Sequence, residues 1–282
     1  MKVLLLARYV LVECSRRRVF IVVPILSAAF LGLYWFAVAR VFATSEFSSV
    51  PGPFDERLVV ASTMLGLGLF GSFFLGVVLI VFLTFTVARG DAEQGLLQPV
   101  VVRPLGRRTF LIGRFLGAAT VSMLYVILLF ACCVLITRGI SGWSPDNVVQ
   151  PALELGAAVV IVGALTLLGS VFLATIANGV TALMLFGTGL VAGLIGQIGE
   201  ALNSPTLENI SRVMSWALPF EALYQSALTS LTEGISGLSG FLIRLGPFGG
   251  AQEASPGLYP WTIGYLAAVG LLTIWFFRRR DL

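Results

Sequence analysis

The chain has 282 residues, of which 57% are hydrophobic and only 11% charged, with a formal net charge of +4. Soluble domains carry about a quarter charged residues. With a mean hydropathy of +0.97, this chain therefore reads as an all-α polytopic membrane protein with little mass outside the bilayer. Histidine is absent, which excludes His-ligated metals, Ser-His triads and imidazole proton relays. Lysine occurs only at Lys2, so no phosphate-binding P-loop can form. No metal or cofactor is expected on this chain, and any nucleotide hydrolysis must belong to another polypeptide.

At the N-terminus, Val3, Ala7, Val10 and Cys14 recur at helical spacing, with Lys2, Glu13 and Arg16 on the opposite face. Residues 1–18 are expected to lie along the inner membrane interface as an amphipathic helix. Arg16, Arg17 and Arg18 force a bend before the first span, since they would otherwise enter hydrocarbon. Arg8 breaks the apolar run too early for a signal peptide, and no cleavage is predicted. Cys132 and Cys133 are neighbours within an apolar run and behave as small hydrophobes.

About 20 apolar residues cross a bilayer as a helix. Six stretches qualify: Val19 to Phe42, Leu58 to Ala88, Phe110 to Thr137, Ala152 to Ala177, Val180 to Ile198, and Leu258 to Phe277. Asn178-Gly179 is expected to form the tight turn between the fourth and fifth. Thirteen of the eighteen basic residues flank the spans on one side: Lys2, Arg8, the Arg16–Arg18 and Arg278–Arg280 triplets, and the arginines at 89, 103, 107, 108 and 114. The positive-inside rule then puts both termini in the cytoplasm.

Residues 201–257 form the one large segment on the other side. Its first half is moderately apolar and predicts short amphipathic helices dipping into the outer interface, broken at Pro219. Its second half is rich in Gly and Pro and reads as loop. No acid or base sits at the middle of a predicted span, which weighs against an ion-coupled secondary carrier. A membrane-embedded enzyme, the third possibility, would need a clustered catalytic set, and no such set is visible without histidine.

The loop at 89–108, between spans two and three, is a polar, Arg-rich insert between two long apolar stretches. It holds Asp91 and Glu93-x-Gly95, then an apolar run from Leu96 to Val102, then Pro104-Leu105-Gly106-Arg107, with Gly113-Arg114 opening the next span. A short helix there would rest in a groove of a soluble protein, anchored by Leu96 and Leu97, with Asp91 and Glu93 pairing basic groups across the interface. Membrane orientation explains the arginines at 103 and 108, but it does not require an acid at Glu93.

This order resembles the cytoplasmic coupling element of ABC-2 type transporter permeases, in the Pro-Leu-Gly-Arg form of their NosY-like branch. Pro219-Phe-Glu221-Ala-Leu-Tyr224 is similar to the Pro-x-Asp/Glu-x-x-Tyr stretch before the last span of that branch, and Phe276-Phe-Arg-Arg-Arg-Asp281 to the family's terminus. Gln98-Pro99 departs from the pattern by placing a proline within the expected coupling helix. The resemblance covers the chain in topology and three places in residues.

The resemblance implies the type V exporter-like fold and a non-enzymatic permease subunit, with no nucleic-acid partner. It implies a bacterial or archaeal inner membrane, a second permease subunit, identical or not, and two ATPase subunits that carry ATP and Mg. Asp91, Glu93, Gly95, Leu96, Leu97, Pro104 and Arg107 would then couple to the ATPase. Spans one, two and five would line the centre of the dimer. Phe70, Phe73 and Phe74 on span two, with Gly189, Leu190, Gly193 and Leu194 on span five, become the expected pathway or dimer-interface residues. Packing within one subunit is the alternative for the Gly189-x-x-x-Gly193 face.

Overall fold

The structure, a computed structural model, describes residues 19–44, 56–85, 107–232 and 257–279. Eight helices appear there in chain order: α1 (Val19–Thr44), α2 (Glu56–Thr84), α3 (Arg107–Ser141), α4 (Val149–Phe172), α5 (Thr175–Ala201), α6 (Pro205–Ala217), α7 (Pro219–Thr232) and α8 (Leu258–Arg279). No strand occurs among the described residues. Six of the helices, α1 to α5 and α8, are long and apolar enough to cross a membrane. The architecture is that of a multi-pass membrane protein. The interfacial helix expected at 1–18, most of the coupling loop and the second half of the 201–257 segment lie outside the described residues.

The bundle has an arginine end, where α3 begins at Arg107 and α8 finishes at Arg279, and an opposite end, where α3 hands over to α4. At that handover Gly142 takes a positive φ of 75° and its N–H donates to the Arg138 carbonyl at 3.0 Å. A left-handed residue closing a helix favours glycine, which has no Cβ to clash. Helix α4 forms the hub: it packs on α2, α3, α5, α7 and α8, and Leu155, Ala158 and Val159 are fully buried. Helix α1 lies at the periphery with Val22, Ile25, Leu33 and Trp35 exposed. Two polar pins hold it to α3, with Ser27 Oγ and Tyr125 OH 2.7 Å apart and Tyr34 OH and Thr137 Oγ1 2.6 Å apart. In a bilayer the lipid is as apolar as the helix, so association depends on such shape and hydrogen-bond contacts.

Two sequence expectations are corrected. The break between the fourth and fifth spans falls at Leu173–Ala174, and Asn178 and Gly179 lie inside the first turns of α5. Asn178 does not make a turn because its side chain points inward: it is 1% exposed, and Nδ2 donates to the carbonyls of Thr166 (3.0 Å) and Phe85 (3.4 Å). Phe85 follows the last residue of α2, where carbonyls lack helical partners. Asn178 thus ties the ends of α2, α4 and α5 at the arginine end.

The second correction concerns residues 201–232. Pro219 does separate two helices, with the break at Leu218. However, α7 does not lie in an interface. Phe220 meets Gly189, twelve residues before the end of α5, which is about 18 Å of helix at 1.5 Å per residue. Helices α6 and α7 therefore form a re-entrant hairpin. α6 stays largely on the surface, whereas Phe220, Leu223, Tyr224 and Ala227 of α7 are buried completely or to within 1%. Amphipathic patterning reports that a helix has an apolar face, but not whether that face meets lipid or protein.

Replacing Asn178 with alanine should leave buried carbonyls at the arginine end with one donor fewer, at a cost of about 1–3 kcal/mol. Thermal unfolding of the purified chain in detergent should show a midpoint several degrees lower; an unchanged midpoint would mean the tie contributes nothing.

Candidate functional site around the re-entrant helix

Helix α7 carries a polar face that is as buried as its apolar one. Glu221, Gln225, Ser226, Thr229 and Ser230 are each exposed by 5% or less. Thr229 and Ser230 return hydrogen bonds to the carbonyls of Gln225 and Ser226 one turn earlier, at 3.0 Å each. Such back-bonding satisfies a hydroxyl inside its own helix. Glu221, Gln225 and Ser226 instead engage other side chains, on two sides of α7.

On one side lies Glu154 of α4, 4% exposed. Its Oε1 accepts from Tyr259 OH of α8 at 2.6 Å, Ser226 Oγ at 2.9 Å and Gln150 Nε2 at 3.1 Å. Gln150 is itself held by Asn147, whose Nδ2 donates to Gln150 Oε1 at 3.2 Å. One carboxyl oxygen therefore joins α4, α7 and α8 at the end of the bundle opposite the arginines. Asn147, Gln150, Glu154 and Tyr259, with Val149 and Leu153, also line a shallow open pocket of about 390 Å³.

On the other side lies Glu221, which receives a hydrogen bond from Gln225 Nε2 one turn along α7, at 2.7 Å. Both side chains lie over Gly193 of α5. A Cβ at that position would run into Glu221 Oε1 and come within 2.8 Å of Gln225 Nε2. At Gly189, a Cβ would meet the Phe220 ring at 2.6–2.7 Å. At both positions side chains of α7 occupy the space a Cβ would fill. Burial pushes the Glu221 carboxyl up to about 7, although the Gln225 hydrogen bond pulls the other way. The neighbouring Tyr224 hydroxyl is raised as well, by burial and then by the charge of Glu221.

An aromatic cluster continues the contact toward α2. The Tyr224 ring stacks on Phe73 (5.2 Å between centroids, 11° between planes) and meets Phe70 edge-on at 6.3 Å. Phe186 of α5 packs against Phe73 at 5.2 Å and Phe220 at 6.2 Å. Residues expected in two separate places thus converge. Phe70 and Phe73, Gly189 and Gly193, and Glu221 and Tyr224 form one packed centre around α7, and Pro219 opens that helix. Leu190 is half-buried at its edge, whereas Phe74 and Leu194 are 44% and 37% exposed on the bundle surface. The close contacts of Gly189 and Gly193 are within the subunit.

Arg107 heads α3, while Asp91, Glu93, Gly95, Leu96, Leu97 and Pro104 lie outside the described residues. Sequence reasoning missed Glu154, Gln150, Ser226, Gln225 and Tyr259 as site residues. Glu154 was legible only as an acid near a span end, because its partners come from 72 and 105 residues away. No protein-family model matches the chain, and comparison with curated proteins finds no match.

Replacing Glu154 with leucine should leave three donors without their acceptor, whereas glutamine keeps one acceptor oxygen. The unfolding midpoint should fall in the order wild type, Glu154→Gln, Glu154→Leu. Tyr259→Phe should cost about 1 kcal/mol, the ordinary net worth of a single hydrogen bond. Equal midpoints for the two Glu154 variants would show that the three-way junction does not hold the hairpin.

Proposed function

We propose that this chain is the membrane-spanning permease subunit of an ABC-2 type transporter, coupled to separate ATPase subunits and working in export. The observation that carries the reading is the residue order from Glu93-x-Gly95 through Pro104-x-x-Arg107 to Gly113-Arg114, between two apolar helices. The second supporting stretch, Pro219 to Tyr224, is the start of the helix around which α2, α4 and α5 pack. In this role the loop at 89–108 transmits ATPase movement into α2 and α3, which flank it directly. The exposed Phe74 and Leu194 then belong to the face toward a second permease subunit. Both termini are cytoplasmic in this reading, and the membrane is the bacterial or archaeal inner membrane.

A second reading, an ion-coupled carrier, gains from one observation. No predicted span has a central acid, yet the re-entrant helix brings Glu221 to a buried position between α2, α4 and α5. Intramembrane ionisable groups mark ion pathways by default.

Affinity purification in mild detergent separates the two. The permease reading expects ATPase subunits to co-purify with the chain and Glu93→Arg to reduce both their recovery and transport, by a factor set by about 2–5 kcal/mol if the lost charge contact is buried. A chain that purifies alone, or a Glu93→Arg variant that transports at the normal rate, would defeat it. Orientation is checked independently: a cysteine at Ser236 should label in intact cells, and labelling only after permeabilisation would reverse the topology.

A further inference from the structure

We infer that Glu221 and Gln225 form a proton-binding site, in which Glu221 is a neutral carboxylic acid paired head to head with the Gln225 amide while α7 is seated against α5. Gln225 Nε2 already donates to Glu221 Oε1 at 2.7 Å, but Gln225 Oε1 is buried and has no partner. A buried acceptor without a donor is costly, and a carboxylate cannot help it, since an ionised acid has no hydrogen to give. A proton on the second oxygen of Glu221 supplies the missing donor. Acid and amide then exchange two hydrogen bonds in a closed ring, and no polar atom of the pair except the outer amide hydrogen lacks a partner. The pair lies over Gly193 of α5, so its burial depends on the hairpin being in place.

The surroundings favour the neutral form. Glu221 is 3% exposed and makes no ion pair among the described residues. Charged groups on the packed elements are Glu154 in α4, Glu200 in α5, Glu208 and Arg212 in α6, Glu56 and Arg57 at the start of α2, and Arg278 and Arg279 at the far end of α8. Tyr224 on α7 itself, with Tyr259 and Tyr265 of α8, completes the titratable set. None of these hydrogen-bonds to Glu221 or supplies its carboxyl with a positive charge. Burying an unpaired carboxylate is expensive, and the group neutralises instead. Displacing α7 from α5 would expose the pair to water and remove the burial that favours the neutral acid, so hairpin position and proton binding are linked reciprocally. This holds whichever motor drives the protein.

The sign of the pH effect follows. The folded state holds the Glu221 proton more tightly than the unfolded chain does, so the pair's contribution is fully present below the ordinary carboxyl range of about 4.3. It declines as pH rises and is lost above about 7. Between pH 5 and 8 the unfolding midpoint of the wild type should fall relative to Glu221→Gln, whose amide needs no proton. A constant difference across that range overturns the site.

Infrared spectroscopy of the full chain in lipid reads the proton directly. A carboxylic-acid carbonyl band should be present in the wild type at pH 6, be lost in Glu221→Gln and survive in Glu154→Gln. Its absence from the wild type would overturn the proposal. If Glu221→Gln does not fold, Gln225→Leu serves instead. Removing the amide should move the band to the higher frequency of a carbonyl without a hydrogen bond, and an unmoved band would overturn the pairing.

Discussion

The seating of α7 among the spans is the constraint on which the rest of the structure depends. A helix with five polar side chains on one face has no place against hydrocarbon, where each unpaired polar group costs several kcal/mol. Here that face is taken up by protein: Glu154 receives Ser226 on one side, and Glu221 and Gln225 lie over Gly193 on the other. The two acids therefore act from opposite flanks of the same helix. Glu154 collects donors from three elements, whereas Glu221 is partnered by its own helix and fitted to a neighbour by the lack of a side chain.

The same arrangement explains how the glycines of α5 are used. In membranes, small residues allow backbones to approach, and the gain is van der Waals contact. Gly189 admits the Phe220 ring, and Gly193 admits the acid–amide pair. Gly66 of α2 does the corresponding work for Leu228 near the other end of α7, with a notional Cβ 3.3 Å from its methyl group. The aromatic cluster of Phe73, Phe186, Phe220 and Tyr224 fills the space between these notches. By contrast, α1 has few buried side chains and is held by two hydroxyl pairs to α3 and by the Tyr34 hydroxyl to the Met64 carbonyl of α2. The inner part of the molecule is thus interlocked and its periphery is pinned.

Much of this was legible in the chain. The six spans stand out because a run of about 20 apolar residues has few other uses. Their limits depart most from the observed helices at the α4–α5 junction, where the fourth span, expected to run to Ala177, closes at Phe172 and the fifth, expected to open at Val180, opens at Thr175. Pro219 was readable as a break because a proline lacks the N–H that a helix interior requires. Asn178-Gly179 misled because turn propensity is local, whereas the fate of that asparagine was decided by carbonyls 12 and 93 residues away. Pro-x-Glu-x-x-Tyr could be picked out as a pattern, but nothing in it tells that Glu221 lies on a glycine or that Tyr224 stacks on Phe73.

Sequence alone determined the helical class, the number of long apolar helices, the absence of histidine chemistry and the distribution of arginines, since these follow from composition and from a periodicity read over one turn to one span. Only the tertiary structure decided that residues 219–232 enter the bundle, that Gly189 and Gly193 make room within the subunit, and that Glu154, Ser226 and Tyr259 share one oxygen. The physical reason is the range of the forces. Burial in lipid acts on each segment by itself, so it is written in the segment. A hydrogen bond or a steric notch between distant helices exists only when both surfaces meet, and one surface does not specify the other.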